Sequence, residues 1–200
     1  VLDRIRRTGV LRVGTEPYFA PQEFIDPDRD GQEQYVGADM ALARLIAEKM
    51  GVELQIIPMD FSRILSALNE DLCDLAISGL AFTPARASSN TMSKGYYFTG
   101  SPASTALMIR EADREEITSI ASLAGRVLIA QASSLQEAVG ASQIFSYKEF
   151  RRVDSVQTVY EALKNAKGVK HFAESAGVTK TGVDEMLKQG GIYRENQAVV

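Results

Sequence analysis

The chain has 200 residues, 45% apolar and 24% charged, enough for one sizeable domain or two small lobes with cores of their own. Its net charge of -4 argues against a nucleic-acid partner, since no face need be strongly basic. The single cysteine, Cys73, excludes an internal disulfide, and no apolar run reaches the roughly 18 residues that a membrane-spanning helix needs. Cys73 sits among apolar residues and is expected to pack as a small hydrophobe rather than react.

In chain order, Leu2 and Ile5 with the basic residues after them suit a short helix closed by Gly9, and Val10 to Gly14 alternates like a strand. Glu16-Pro17-Tyr18-Phe19-Ala20-Pro21 must be irregular, because neither proline fits a helix or sheet interior. Phe19 on that stiffened loop suits a pocket wall and equally suits a cap on the core. Phe24-Ile25 and Tyr35-Val36 read as short strands around a polar turn. Asp39 to Met50 is an amphipathic helix with Asp39 near its start, Gly51 past its end, and Met40, Ala43, Ala47 and Met50 inward. Val52 to Ile57 is a strand, Phe61 to Leu68 a helix and Leu72 to Ile77 a strand. That alternation implies a parallel sheet flanked by helices, an α/β fold.

Past the first lobe, Ala103 to Arg110 is strand-like and Ile117 to Leu123 helical. Val127 to Ala130 is a buried strand, Leu135 to Val139 is helical, and a turn near Val153 leads into the helix Val156 to Asn165. The second half thus repeats the outline of the first.

Two strand ends carry candidate chemistry. Leu75-Ala76-Ile77 runs into Ser78-Gly79-Leu80-Ala81-Phe82-Thr83-Pro84-Ala85-Arg86, where small residues expose the main chain and an arginine follows. Small residues let a ligand approach the backbone, and a guanidinium grips a carboxylate through two parallel hydrogen bonds. This describes a seat for a small anion at the carboxyl end of a strand; a strand, a turn and a surface arginine would read the same. Ser133 and Ser134 end the strand Val127 to Ala130 in a hydroxyl-rich turn, although such residues more commonly cap helices. The sequence offers no Ser-His-Asp set, metal-ligand cluster or phosphate-cradling glycine loop, so no catalytic residue, metal or cofactor is expected.

These residues resemble the bacterial extracellular solute-binding proteins that receive polar amino acids for ABC importers. The likeness is carried by Leu2 to Thr15, Ala20 to Phe24, Val36 to Ala43, Asp74 to Ala87 and Ser122 to Val127, in order and at family spacing. It implies a two-lobed periplasmic-binding-protein-like fold closing over a ligand, with lobe 1 over 1–99, lobe 2 over 100–170 and a crossing near Thr99 to Pro102. It leaves open whether the second lobe is complete, and makes 171–200 an atypical helical tail, possible return to the first lobe included. The resemblance also implies a removed export signal, a periplasmic or cell-surface location, a membrane permease as partner and a monomeric receptor. On the family pattern Phe19 and Phe61 would wall the ligand, Ser78 and Gly79 would offer main-chain groups, and Arg86 would bind the α-carboxylate. Ser133 or Ser134 would contribute from the second lobe, and Glu16 could meet a ligand cation.

Ala81 departs from the family, standing where a Ser or Thr hydroxyl is usual; Gln22 replaces an aromatic residue and Ala41 an aspartate. After Asn165 the expected aspartate that accepts the ligand's ammonium is missing, with Asp184 the nearest substitute, so a receptor without ligand affinity is one alternative. A second is a cyclohexadienyl or arogenate dehydratase-like enzyme, with Glu16 or Glu23 as general acid and the sole histidine, His171, outside the pattern. A remote third is DNA binding by the helix-turn-helix-like stretch Phe172 to Val183.

Overall fold

The computed structural model describes residues 1–97 and 106–165. The chain separates after Gly100 into two compact units. The expected lobe crossing at Thr99 to Pro102, His171, Asp184 and the tail over 171–200 lie outside the described residues.

The first unit runs α1 (Leu2–Thr8), β1 (Val10–Thr15), β2 (Tyr18–Phe19), β3 (Glu23–Ile25), β4 (Tyr35–Val36), α2 (Ala38–Met50), β5 (Glu53–Pro58), α3 (Ile64–Asn69), β6 (Leu75–Ala76) and α4 (Pro84–Ser89). β1 is central in a parallel sheet of order β5-β1-β6, as the strand–helix alternation predicts. β2, β3 and β4 form a small antiparallel sheet of their own. Ile5, Leu11, Val13, Ala43, Ala47 and Ile77 make the main core, ringed by Ile46, Val52, Leu54 and Leu75. Met40 packs with Tyr35 and Ile56 in a second cluster. Met50, expected on the inner face of α2, is exposed because it is the last residue before Gly51 turns the chain away. Cys73 is buried, and its Sγ lies where a side chain at Gly14 would begin.

The start of α2 is held by the loop that precedes it. Gly37 stands just before the helix with φ of 115°, and a Cβ there would lie 2.3 Å from the Gln22 carbonyl oxygen. That close approach lets the helix's first N–H groups find backbone partners: Ala38 donates to Pro21 O and Asp39 to Gln22 O, at 3.0 and 2.8 Å. Leading N–H groups are usually satisfied by a capping side chain. With them already paired, the Asp39 carboxylate is released from the capping role the sequence suggests.

The second unit contains β7 (Val127–Gln131), α5 (Leu135–Gln143), β8 (Glu149–Val153) and α6 (Val156–Asn165). β7 and β8 pair in parallel, with α5 as the connecting helix. Leu123, Leu128 and Ile144 form its core, with Leu107, Ile117, Tyr147 and Phe150 packed against them. Two details differ from expectation. Residues 106–110 form no strand, and the helix expected over Ile117 to Leu123 shrinks to a 3-10 turn, Ile120–Leu123, opened by reciprocal hydrogen bonds of Ser119 and Ser122. Among the described residues no helix is long and apolar enough to cross a membrane.

A charge cluster staples α1 to the sheet. The buried Asp74 carboxylate accepts from Arg4 Nε at 2.9 Å, from the Arg12 guanidinium at 3.1 Å and from the Arg12 backbone N–H at 2.8 Å. Burial alone would raise the Asp74 pKa, but the two arginines and the backbone N–H outweigh it and hold the group below its ordinary value. A carboxylate with a depressed folded pKa adds stability above the unfolded value of about 3.9, and that stability disappears as pH falls through the folded value. Asp74→Asn is expected to lower the unfolding free energy by about 2 kcal/mol at neutral pH, the partners' partial exposure reducing the cost of breaking a fully buried pair. Urea titrations at pH 7 and pH 3 check this: the gap between wild type and variant should narrow at the lower pH.

Candidate functional site

β1 and β6 end side by side, and the residues that leave them meet. The Glu16 backbone N–H, just past β1, donates to Ser78 Oγ at 3.0 Å, and Ser78 Oγ donates to Glu23 Oε1 at 2.9 Å. Next along the chain, the Gly79 N–H donates to Asp39 Oδ2 at 2.7 Å, and Tyr96 Oη reaches the same oxygen at 3.0 Å. Glu16, Glu23, Asp39 and Ser78 are each no more than 2% exposed. Three carboxyl-bearing side chains are therefore buried here, one of them held directly by the Ser78 hydroxyl.

Past Ser78 the chain makes two further contacts, Gly79 with Phe19 and Arg86 with Phe61. Gly79 has φ of 53°, a left-handed conformation that suits glycine, and a Cβ there would sit 3.3 Å from the Phe19 ring. The Phe19 side chain thus lies over the Gly79 backbone. Arg86 falls in the first turn of α4, whose start is capped by Thr83 Oγ1 accepting the Arg86 backbone N–H at 3.1 Å. Its guanidinium donates to Ala81 O at 2.7 Å and stacks over the Phe61 ring, 5.6 Å from the centroid. A cation over an aromatic face is attracted by the ring's quadrupole, so Phe61 and Ala81 together aim this side chain. Burial pushes the guanidinium down from its ordinary pKa, yet arginine keeps its charge at any physiological pH.

Of the residues singled out from sequence, Phe19 thus packs against Gly79, while Ala81 and Phe61 contact Arg86. Two of the anticipated ligand groups already have protein partners there: the Gly79 N–H on Asp39, and the Ser78 hydroxyl between Glu16 and Glu23. Asp39 and Tyr96 are participants that sequence reasoning did not place at this site. Asp39 is 40 residues from Gly79 in sequence, and no local spacing signals such a contact.

In the second unit, Ser134 is the N-cap of α5, its Oγ accepting the Glu137 N–H at 3.0 Å. Ser133 has φ of 63°, and its N–H donates to the Glu137 carboxylate at 2.6 Å, while that carboxylate is also held by Arg152. The capping reading of this turn therefore describes the Ser134 hydroxyl. Ser134→Ala is expected to cost about 1 kcal/mol of stability, the usual loss for a serine cap. Hydrogen exchange at the amides of α5 checks it: Glu137 and its helical neighbours should lose protection.

Residues 11–189 match the family described as bacterial extracellular solute-binding proteins, family 3. The chain belongs to this family. Among curated relatives, the arginine-binding extracellular protein ArtP of Bacillus subtilis is 32% identical over 130 residues, covering 65% of this chain and 47% of ArtP. The cyclohexadienyl dehydratase of Pseudomonas aeruginosa is 32% identical over 85 residues, covering 42% of this chain and 30% of the enzyme. The chain thus spans about half or less of the length of these relatives. Among solved structures, the amino-acid ABC transporter substrate-binding protein AbpA of Streptococcus pneumoniae, bound to L-arginine, superposes with a TM-score of 0.72 at 24% identity, covering 93% of this chain and 90% of AbpA. The ancestral amino acid-binding protein AncCDT-1, a precursor of cyclohexadienyl dehydratase, gives 0.72 at 20% identity, covering 94% and 92%. At such identities these structures establish the fold, which is periplasmic-binding-protein-like.

Proposed function

We propose that this chain is the ligand-capturing part of an extracytoplasmic solute-binding receptor, and that it takes a small carboxylate, most simply an amino acid such as L-arginine. The observation that carries this reading is the Arg86 guanidinium, aimed by Ala81 O and the Phe61 ring a few residues past the Gly79 backbone that Phe19 covers. A partly desolvated, preoriented guanidinium can receive a carboxylate through charge-assisted hydrogen bonds, and the order already invested in its placement reduces what binding must add. The Gly79 N–H being held by Asp39, the seat relies on Arg86 and the aromatic rings, with Ala81 offering no hydroxyl. Glu16, buried just past β1, is the acidic residue that the family pattern offers to a ligand's cationic end.

Arginine is the first ligand to test because relatives named for it recur: ArtP, and the arginine-binding protein ArgT of Corynebacterium glutamicum, 37% identical over 79 residues. The family's description supports an extracytoplasmic location, and a relative named as a probable ABC transporter arginine-binding protein, ArtJ of Chlamydia trachomatis, supports delivery to an ABC permease. We infer no catalysis. The enzyme alternative has one observation in its favour, the dehydratase relative, and incubation with a prephenate-like acid decides it: turnover would replace the receptor reading.

An arginine–carboxylate contact contributes about 1.5–3 kcal/mol. Arg86→Ala is therefore expected to weaken L-arginine binding at least about tenfold by calorimetry. Wild-type binding with an unchanged affinity in the variant would remove Arg86 from the site.

A further inference from the structure

The buried network under the seat has a proton to account for. Ser78 Oγ has one hydrogen, given to Glu23 Oε1, and accepts from the Glu16 backbone. Asp39 Oδ2 receives two donors, the Gly79 N–H and the Tyr96 hydroxyl. Glu23, 1% exposed, receives only the Ser78 hydroxyl on Oε1, and its Oε2 accepts no hydrogen bond. A buried carboxylate with a single neutral donor is poorly satisfied. Asp39 is the neighbouring acid: its Oδ2 holds the Gly79 N–H, and a Cβ on Gly79 would lie 3.7 Å from Glu23 Oε1, so ionisation of both is unfavourable. Donor counting therefore puts the negative charge on Asp39 and leaves Glu23 Oε2 needing a hydrogen of its own.

We propose that Glu23 is a buried neutral carboxylic acid whose Oε2–H is donated to Asp39, and that this shared proton makes Glu23 a positioning residue for the Gly79–Arg86 seat. The orphaned oxygen then becomes a donor, and Asp39 stays close enough to hold the Gly79 N–H. From Gly79 the chain runs directly to Ala81, whose carbonyl aims Arg86. The titratable groups around Glu23 agree in direction. Burial, the facing Asp39 on α2 and Glu16 after β1 push its carboxyl well above the ordinary value, against the opposing Ser78 hydrogen bond. Tyr96 donates to Asp39, and its phenol is itself raised by burial and by these acids. Because the two acids interact, the proton belongs to the pair, with Glu23 its resting place.

A folded pKa above the unfolded one gives stability that is complete below about pH 4.3 and is lost as pH rises through the folded value. Loss of the proton would set three acids against one another and loosen Asp39 from Gly79.

The test is a pH titration of the ligand-free full chain, followed by NMR through the glutamate carboxyl carbons and the Gly79 amide. At pH 7 one glutamate is expected in its protonated form, absent in Glu23→Gln. The Gly79 amide should shift as that glutamate titrates in wild type and stay still in Glu23→Gln, whose amide can donate to Asp39 in place of the acid. Uniformly ionised glutamates at pH 7, or a Gly79 amide indifferent to the titration, would overturn the proposal. Should Glu23→Gln not fold, Asp39→Asn serves instead: the remaining glutamate must then titrate at lower pH, and an unmoved midpoint would count against a shared proton. The positioning role rests on the receptor reading only in its last step. There, L-arginine affinity should decline through the Glu23 titration in wild type and not in Glu23→Gln, the ligand's own amino group titrating alike in both. Failure of wild type to bind L-arginine at any pH would sink that choice of ligand while the carboxyl and amide resonances still decide the proton.

Discussion

The hydroxyl of Ser78 ties together what the sheet delivers separately. It joins the segment leaving β1, through the Glu16 N–H, to β3, through Glu23, while itself following the end of β6. Parallel strands place their carboxyl ends on one edge, and loops leaving that edge need cross-links to hold a common shape. A hydroxyl suits this position because it donates and accepts at once. An apolar side chain of the same size would leave both a buried N–H and a buried carboxyl oxygen without their partner, a loss of roughly 1–3 kcal/mol for each group.

The seat is thus supported in two layers. One is a buried polar network of Glu16, Glu23, Asp39 and Ser78; in the other Phe19 covers Gly79, and Phe61 and Ala81 aim Arg86. Buried hydrogen-bonded groups restrain one another, and Ser78, donor and acceptor at once, links two neighbours here. For the seat proposed above, such restraint would hold the guanidinium ready, since one free to rotate would have to be ordered at each encounter. The Asp74 cluster with Arg4 and Arg12 does a different job, fixing α1 to the sheet through charge.

Much of this is legible in the residues, and the exceptions have physical reasons. β1, α2 and β5 follow from alternation, helical spacing and the glycines at 9 and 51, each a local signal. β8 escapes because Glu149-Phe150-Arg151-Arg152-Val153 carries charge on both faces, its strand status resting on pairing with β7 rather than on its own pattern. The stretch up to Arg110 looks like a strand because its apolar residues are continuous, but Leu107 packs into the second core without pairing partners along 106–110. Arg86 and its aromatic neighbours stand out because a small-residue strand end before an arginine has a chemical meaning. Asp39 reads as a cap, since the backbone carbonyls of Pro21 and Gln22 that relieve it of that duty belong to a loop folded back on it.

Position 37 shows how far such dependence extends. The carbonyl of Gln22 occupies the space that any side chain there would need, so even a methyl group would lever α2 off the loop before it. The damage would travel by contact: Asp39 would retreat, Gly79 would lose its anchor, and Arg86 would swing with it. Under the proposed function, a residue with no functional group of its own therefore becomes part of the recognition apparatus, and screens for altered specificity should treat it as forbidden ground.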